Sequence, residues 1–170
     1  VVDSSTVAIT LRARGIDDAG MLAIGWGGTT MASADDFVVC EVVSATEGVC
    51  TDSAPVDGRD TPPADDVGSD IADVVVEIDG EWTMVTFMRA TAGDDDQDYD
   101  LASDIDDQVE TEVIFSFREG PGVGQHPNAN RGAASVNFAT GAVTEVCNDT
   151  DDFVSLHGAL MLIAWMLLAP

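Results

Sequence analysis

Cys40 and Cys50 flank a turn signal, Ser44-Ala45-Thr46-Glu47-Gly48, so a cross-strand disulfide is geometrically reasonable if their side chains share a face. Cys147 is then left over. The chain starts without Met and reads as processed or incomplete, so a partner upstream of Val1 is one option for it. Hydrolytic chemistry has little to stand on. The chain holds two His and lacks a Gly-x-Ser-x-Gly elbow, metal-spaced Cys pairs, a phosphate-binding loop and a His-Glu-x-x-His run. Carboxylate pairs carry no information where 32 residues are acidic. The run from Asp94 to Asp100 lacks the loop Gly and terminal Glu of an EF-hand, so a solvated surface is preferred there to a dedicated Ca²⁺ site, with a weak divalent-cation site left open. Two segments are more specific. Trp26-Gly27-Gly28-Thr29-Thr30-Met31-Ala32-Ser33-Ala34-Asp35-Asp36-Phe37-Val38-Val39 places a lone Met between a Gly-rich loop and a strand, and Gln125-His126-Pro127-Asn128-Ala129-Asn130-Arg131-Gly132 places a lone His before the last strand.

The elements that must position these residues are short and extended. Alternation in Val7 to Arg14, Met21 to Trp26 and Phe37 to Val43 predicts three strands, with a partner for the third starting near Val49. Thr51 to Ser69, rich in Pro, Asp and Gly, reads as a surface loop. Ala72 to Ile78 and Glu81 to Arg89 form a hairpin through Asp79-Gly80, the first half-exposed and the second covered on both faces. Glu112 to Phe117 and Ala134 to Phe138 add strands, and no amphipathic helix is expected before residue 150. Short strands punctuated by turns predict an all-β, immunoglobulin-like antiparallel β-sandwich over residues 1–147.

With 24 Asp, 8 Glu, six Arg and no Lys, the formal charge is −26, which repels nucleic acid and anionic head groups and excludes nucleic-acid binding. A short acidic linker, 148–153, leads to an almost wholly apolar segment, 154–170. A bilayer needs about 20 residues of helix, so the segment reads as the first part of a transmembrane helix that continues beyond Pro170. A core helix would show a polar face, which this segment lacks, and a lipid-anchor signal stays open. The sequon Asn148-Asp149-Thr150 makes Asn148 a candidate glycosylation site and fits an extracellular or lumenal domain.

Taken in order, the Met31 and His126 segments, with Gly80-Glu81-Trp82-Thr83-Met84-Val85-Thr86-Phe87-Met88-Arg89 and Asp94-Asp95-Asp96-Gln97-Asp98-Tyr99-Asp100-Leu101 between them, resemble the DOMON family. Haem-binding members of that family hold haem b between a Met and a His on a β-sandwich. The resemblance spans Val7 to Gly141, and the order of its parts carries it. His157-Gly158-Ala159-Leu160-Met161-Leu162-Ile163-Ala164-Trp165 looks like the opening of the transmembrane cytochrome b561 core that follows a DOMON domain in ferric-chelate-reductase-like proteins.

The resemblance implies that Met31 and His126 are the axial ligands of a haem iron, and that His157 ligates a second haem when the membrane core is complete. It implies an exterior electron relay to or from transmembrane b-type cytochrome helices of the same full-length chain. Such a relay is part of a transmembrane oxidoreductase, with cationic metal ions as candidate substrates. A thioether and a neutral imidazole favour reduced iron and raise its potential. Arg89 has two readings, partner of a haem propionate or member of a structural ion pair. Met84 and Met88 are expected to pack, and Trp26 and Trp82 to belong to the core instead of contacting haem. Family members that bind sugars or lack haem leave two alternatives, a non-haem ligand-binding module and a structural subunit of a larger assembly.

Overall fold

A computed structural model describes residues 5–16, 19–54, 64–65, 71–93, 98–126 and 130–145, and the described residues form ten strands and one helix. In chain order these are β1 (Thr6–Arg14), β2 (Gly20–Trp26), β3 (Asp36–Ser44), β4 (Glu47–Ala54), β5 (Ala64–Asp65), β6 (Ile71–Asp79), β7 (Trp82–Ala90), α1 (Leu101–Asp107), β8 (Thr111–Glu119), β9 (Arg131–Asn137) and β10 (Ala142–Glu145). All pairings are antiparallel. One sheet has the order β1-β7-β6 and the other β10-β9-β8-β2-β3-β4-β5, which makes an all-β sandwich.

Period-two alternation sets the layers. Val7, Ile9, Leu11 and Ala13 of β1 and Val85 and Phe87 of β7 are buried and face Leu22, Ile24 and Trp26 of β2 and Val38, Cys40 and Val42 of β3. Ile9, Leu11, Leu22, Ile24, Trp26 and Phe87 are each at most 1% exposed. Each buried side chain of this size contributes about 1.5–3 kcal/mol, so the facing inner rows hold the sheets together. Cys40 and Cys50 lie opposite each other in register on β3 and β4, with Cα atoms 3.9 Å apart, and form the expected disulfide. The β6–β7 hairpin closes through Gly80 and Glu81, and Gly80 (φ +63°) takes the left-handed conformation its turn requires.

Several expectations change. Residues 51–54 belong to β4, because Asp52 pairs with Val38 and Ser53 with Phe37 in the β3 ladder, and Ala64 and Asp65 then pair with Ala54 and Ser53. A helix, α1, stands where none was expected, and Asp104-Ile105-Asp106-Asp107 lies on it. At seven residues it is too short to display a helical period. Local chemistry specifies it: the Asp100 carboxylate caps the Ala102 N–H at 3.0 Å, Leu101 anchors it in the core, and Gln108 ends it in the left-handed region. Trp82 is not core. It sits on the outer row of β7 with the Arg12 guanidinium 4.1 Å from its ring centroid. That row, which includes Met84 and Met88, is half-buried, so β7 is fully covered on its inner face alone. β10, a short strand with Val143 exposed, adds an edge that lacks a sequence signal.

The segment 146–170 lies outside the described residues, and with it Cys147, Asn148, the linker 148–153, the span 154–170 and His157. Among the described residues no helix is long and apolar enough to cross a membrane.

Candidate functional site

Met31 sits in a tight turn between β2 and β3. The Ser33 hydroxyl accepts the Thr30 N–H at 3.1 Å, the Ser33 and Ala34 N–H groups return to the Thr30 carbonyl at 3.0 Å each, and Asp35 N–H closes onto Trp26 O at 2.8 Å. Gly27 (φ +82°) and Gly28 make this closure possible, since a Cβ on either would collide with Asp35 or Ser33. The Gly pair thus permits close approach of backbone and side chains within the turn itself. The half-buried Met31 packs on Ala34, Phe37, Ile114 and Ala133, an apolar cluster on the outer face of the seven-stranded sheet.

The connection from β8 to β9, which carries His126, starts over the same face. Gly122 N–H donates to Glu41 Oε1 at 2.9 Å, and Arg118 donates from Nη1 to Gly122 O at 3.1 Å. Glu41 follows Phe37 and Val39 on the outer row of β3, and Arg118 follows Ile114 and Ser116 on that of β8. The connection rejoins the sheet at β9, where Ala133 belongs to the cluster under Met31. His126, half-buried, lies between these two anchor points. The fold thus assigns Met31 and the two ends of the His126 connection to one sheet face, although they are far apart in sequence.

Arg89 is elsewhere. It is fully buried between the sheets on the inner row of β7, in an ion pair with Asp36 of β3, so it takes the structural reading of the two that its sequence left open. Its guanidinium carbon lies 4.6 Å from the Trp26 ring centroid, and its Nη2 donates to Tyr99 O at 3.1 Å. Tyr99 N–H donates to Asp36 Oδ2 at 3.1 Å, so the pair holds both backbone polar groups of one residue. Asp52 and Asp98 complete a group in which one carboxylate oxygen from each of Asp36, Asp52 and Asp98 lies within 4.8 Å of the others. Burial, above all, pushes the Asp36 carboxyl up to about 6; Arg89 and the Tyr99 N–H pull it down, and Asp52 and Asp98 add to the rise. Tyr99 is pushed up to about 12 by burial and by its 2.9 Å hydrogen bond to Asp104.

Sequence reasoning missed two features. The convergence of Asp36, Asp52 and Asp98 was hidden among many carboxylates, yet Asp36 shares parity with Val38, Cys40 and Val42, and that parity marks it as inward. Arg118 was not singled out, and its guanidinium lies on the Met31 face, bonded to the connection that carries His126. No protein-family model, curated protein or solved structure matches this chain.

Proposed function

We propose that this chain is an extracytoplasmic, DOMON-like domain of immunoglobulin-like architecture that carries electrons on haem b, relaying them to or from transmembrane b-type cytochrome helices. The observation that carries this reading is the common sheet face of the Met31 turn and the His126 connection.

The donor set fits haem in kind. A thioether seated on Phe37 and Ile114 offers a soft ligand beside an apolar surface, and an imidazole on a tethered loop offers the stronger one. When bound, the haem supplies reversible one-electron chemistry at the iron. Met31 and His126 would hold the group, and the apolar cluster under Met31 would exclude water from one side of it. Arg118 positions the connection through Gly122. The Cys40–Cys50 disulfide agrees with an oxidising compartment, which supports an extracellular or lumenal location. A formal charge of −26 attracts cationic partners, metal ions among them, and repels anionic ones. In this reading His157 belongs to the membrane segment and takes the second haem there.

The test is the visible spectrum of the full chain purified with haem supplied. A Soret band with low-spin features in both oxidation states supports the reading. A colourless protein that cannot be loaded passes the case to a non-haem ligand-binding module or a structural subunit.

A further inference from the structure

The three-stranded sheet turns its outer face away from the Met31 side of the sandwich, and strand register orders that face into rows. The row through Met84 runs from Arg12 on β1 to Glu77 on β6, and the next, through Trp82, runs from Arg14 to Asp79. These residues point outward because their neighbours Leu11, Ala13, Val76 and Val85 fill the core. The two rows that follow on the other side carry no charge: Thr10 and Thr86 bond to each other at 2.9 Å, and Val75, in register with Thr86, is 50% exposed. Trp82, Met84 and Met88 run down the middle, half-buried and outside both apolar clusters of the fold. The face is thus an apolar strip with cations along one side and acids along the other.

We propose that this face joins two copies of the chain, sheet against sheet, about a two-fold axis parallel to β7. Rotation about that axis exchanges the β1 and β6 sides and keeps each row in place. Arg12 of each copy then faces Glu77 of the other, while Met84 meets Met84 and Trp82 meets Trp82. An axis across the strands lays β1 on β1 and leaves both charged sides unanswered. Near-aligned strands are also an ordinary way for two sheets to stack. Among the described residues neither Arg12 nor Glu77 has an ion-pair partner, and Arg12 Nε has no hydrogen bond, whereas Arg14 is paired with Glu81. The Arg12 guanidinium is held over the Trp82 ring at the border of the apolar strip, where a carboxylate of a second copy meets it.

Size and charge set the strength of this contact. Three strands of 9 residues each cover roughly 30 Å by 14 Å, on the order of 400 Å² per copy. About 800 Å² in all is small against a stable dimer, so the association is reversible and concentration-dependent. Two chains of formal charge −26 repel each other, and the reach of that repulsion falls from ~10 Å in about 0.1 M salt to ~3 Å in about 1 M. The dimer therefore tightens as salt rises, although its ion pairs alone would weaken. It does not require the haem reading, and it leaves the Met31 face open in both copies.

The experiment is density-matched sedimentation equilibrium of the full chain in a non-ionic detergent, with far-ultraviolet circular dichroism as the check of folding. Dimer affinity of the wild type is expected to rise on the order of tenfold between about 0.1 M and 1 M KCl. Arg12→Glu and Glu77→Arg should each lose on the order of tenfold or more, because each sets like charges opposite each other twice. An equimolar mixture of the two should recover the wild-type affinity through a mixed dimer, a response that association through the apolar segment 154–170 does not give. Where R12E does not fold, Thr10→Glu and Val75→Arg, opposed by the same axis, replace the pair, and their mixture should again associate more tightly than either alone. A wild type that stays monomeric at about 0.1 mM in 1 M KCl, an affinity that falls as salt rises, a folded R12E or E77R that dimerises fully, or a mixture no tighter than its components overturns the proposal.

Discussion

Asp36 and Arg89 form an ion pair with both side chains almost fully buried, and the pair joins the two sheets, since Asp36 starts β3 and Arg89 ends the inner row of β7. It sits against Trp26, the last residue of β2 before the Met31 turn, and holds the backbone N–H and C=O of Tyr99.

Removing one partner leaves a buried charge uncompensated. Arg89→Ala is therefore expected to cost about 3–5 kcal/mol, because the Asp36 carboxylate loses its cation while Asp52 and Asp98 remain. Urea denaturation checks this, and a loss under about 1 kcal/mol would show that the pair is dispensable.

The pH dependence has a definite sign. The folded-state value of Asp36, about 6, is above its usual 3.8, so the folded chain binds a proton more tightly than the unfolded chain. Its contribution to stability is complete below the unfolded value and is lost as pH rises through 6. The stability read from urea denaturation should be higher at pH 5 than at pH 7.5, by about 1.4 kcal/mol in free energy, and Asp36→Asn should remove that part of the difference. Equal slopes in wild type and D36N would contradict the assignment.

Cys40 and Cys50, ten positions apart, close a short loop between adjacent strands. Replacing both with Ala is expected to lower stability by about 2–3 kcal/mol through the freer unfolded chain. Non-reducing peptide mapping should recover the two in one linked species.

Much of the sandwich was legible because alternation in β1, β2, β3, β6 and β7 is strong and the turns between them carry Gly, Asp or Ser. The rest had physical reasons to stay hidden. The helix α1 depends on the Asp100 cap and one core Leu, signals too local to show a period. Trp82, expected in the core, lies outside it, because its parity opposes that of the buried Val85 and Phe87 and its ring is covered by Arg12. Asp36 and Arg89 are charged residues at apolar-row positions, each inward by parity, and only the packing of the two sheets makes them a pair. For the site, order along the chain picked out Met31 and His126, but Arg118 becomes visible only when the β8–β9 connection is seen to cross its row.

Arg118→Ala should release the carbonyl of Gly122 and loosen the connection that holds His126. Under the proposed function this weakens haem retention several-fold without unfolding the sandwich, since Arg118 is half-buried and outside the core cluster. Haem loss to an apo-globin acceptor, followed beside far-ultraviolet circular dichroism, separates retention from folding. Unchanged loss rates would remove Arg118 from the site.

Met31→His should retain haem and lower its potential, because a second imidazole stabilises ferric iron relative to a thioether. Spectroelectrochemical titration reads the shift, and an unchanged potential would mean that residue 31 is not bound to iron.

The central claim, that Met31 and His126 converge on one iron, is tested most directly by the absorption spectra of haem-supplied wild type and of a folded Met31→Ala, His126→Ala double variant. The wild type is expected to be six-coordinate and low-spin when oxidised and when reduced, with poor carbon monoxide binding, and the double variant to lose that spectrum. An unchanged haem spectrum in the double variant, or a wild type that takes up no haem, would contradict it.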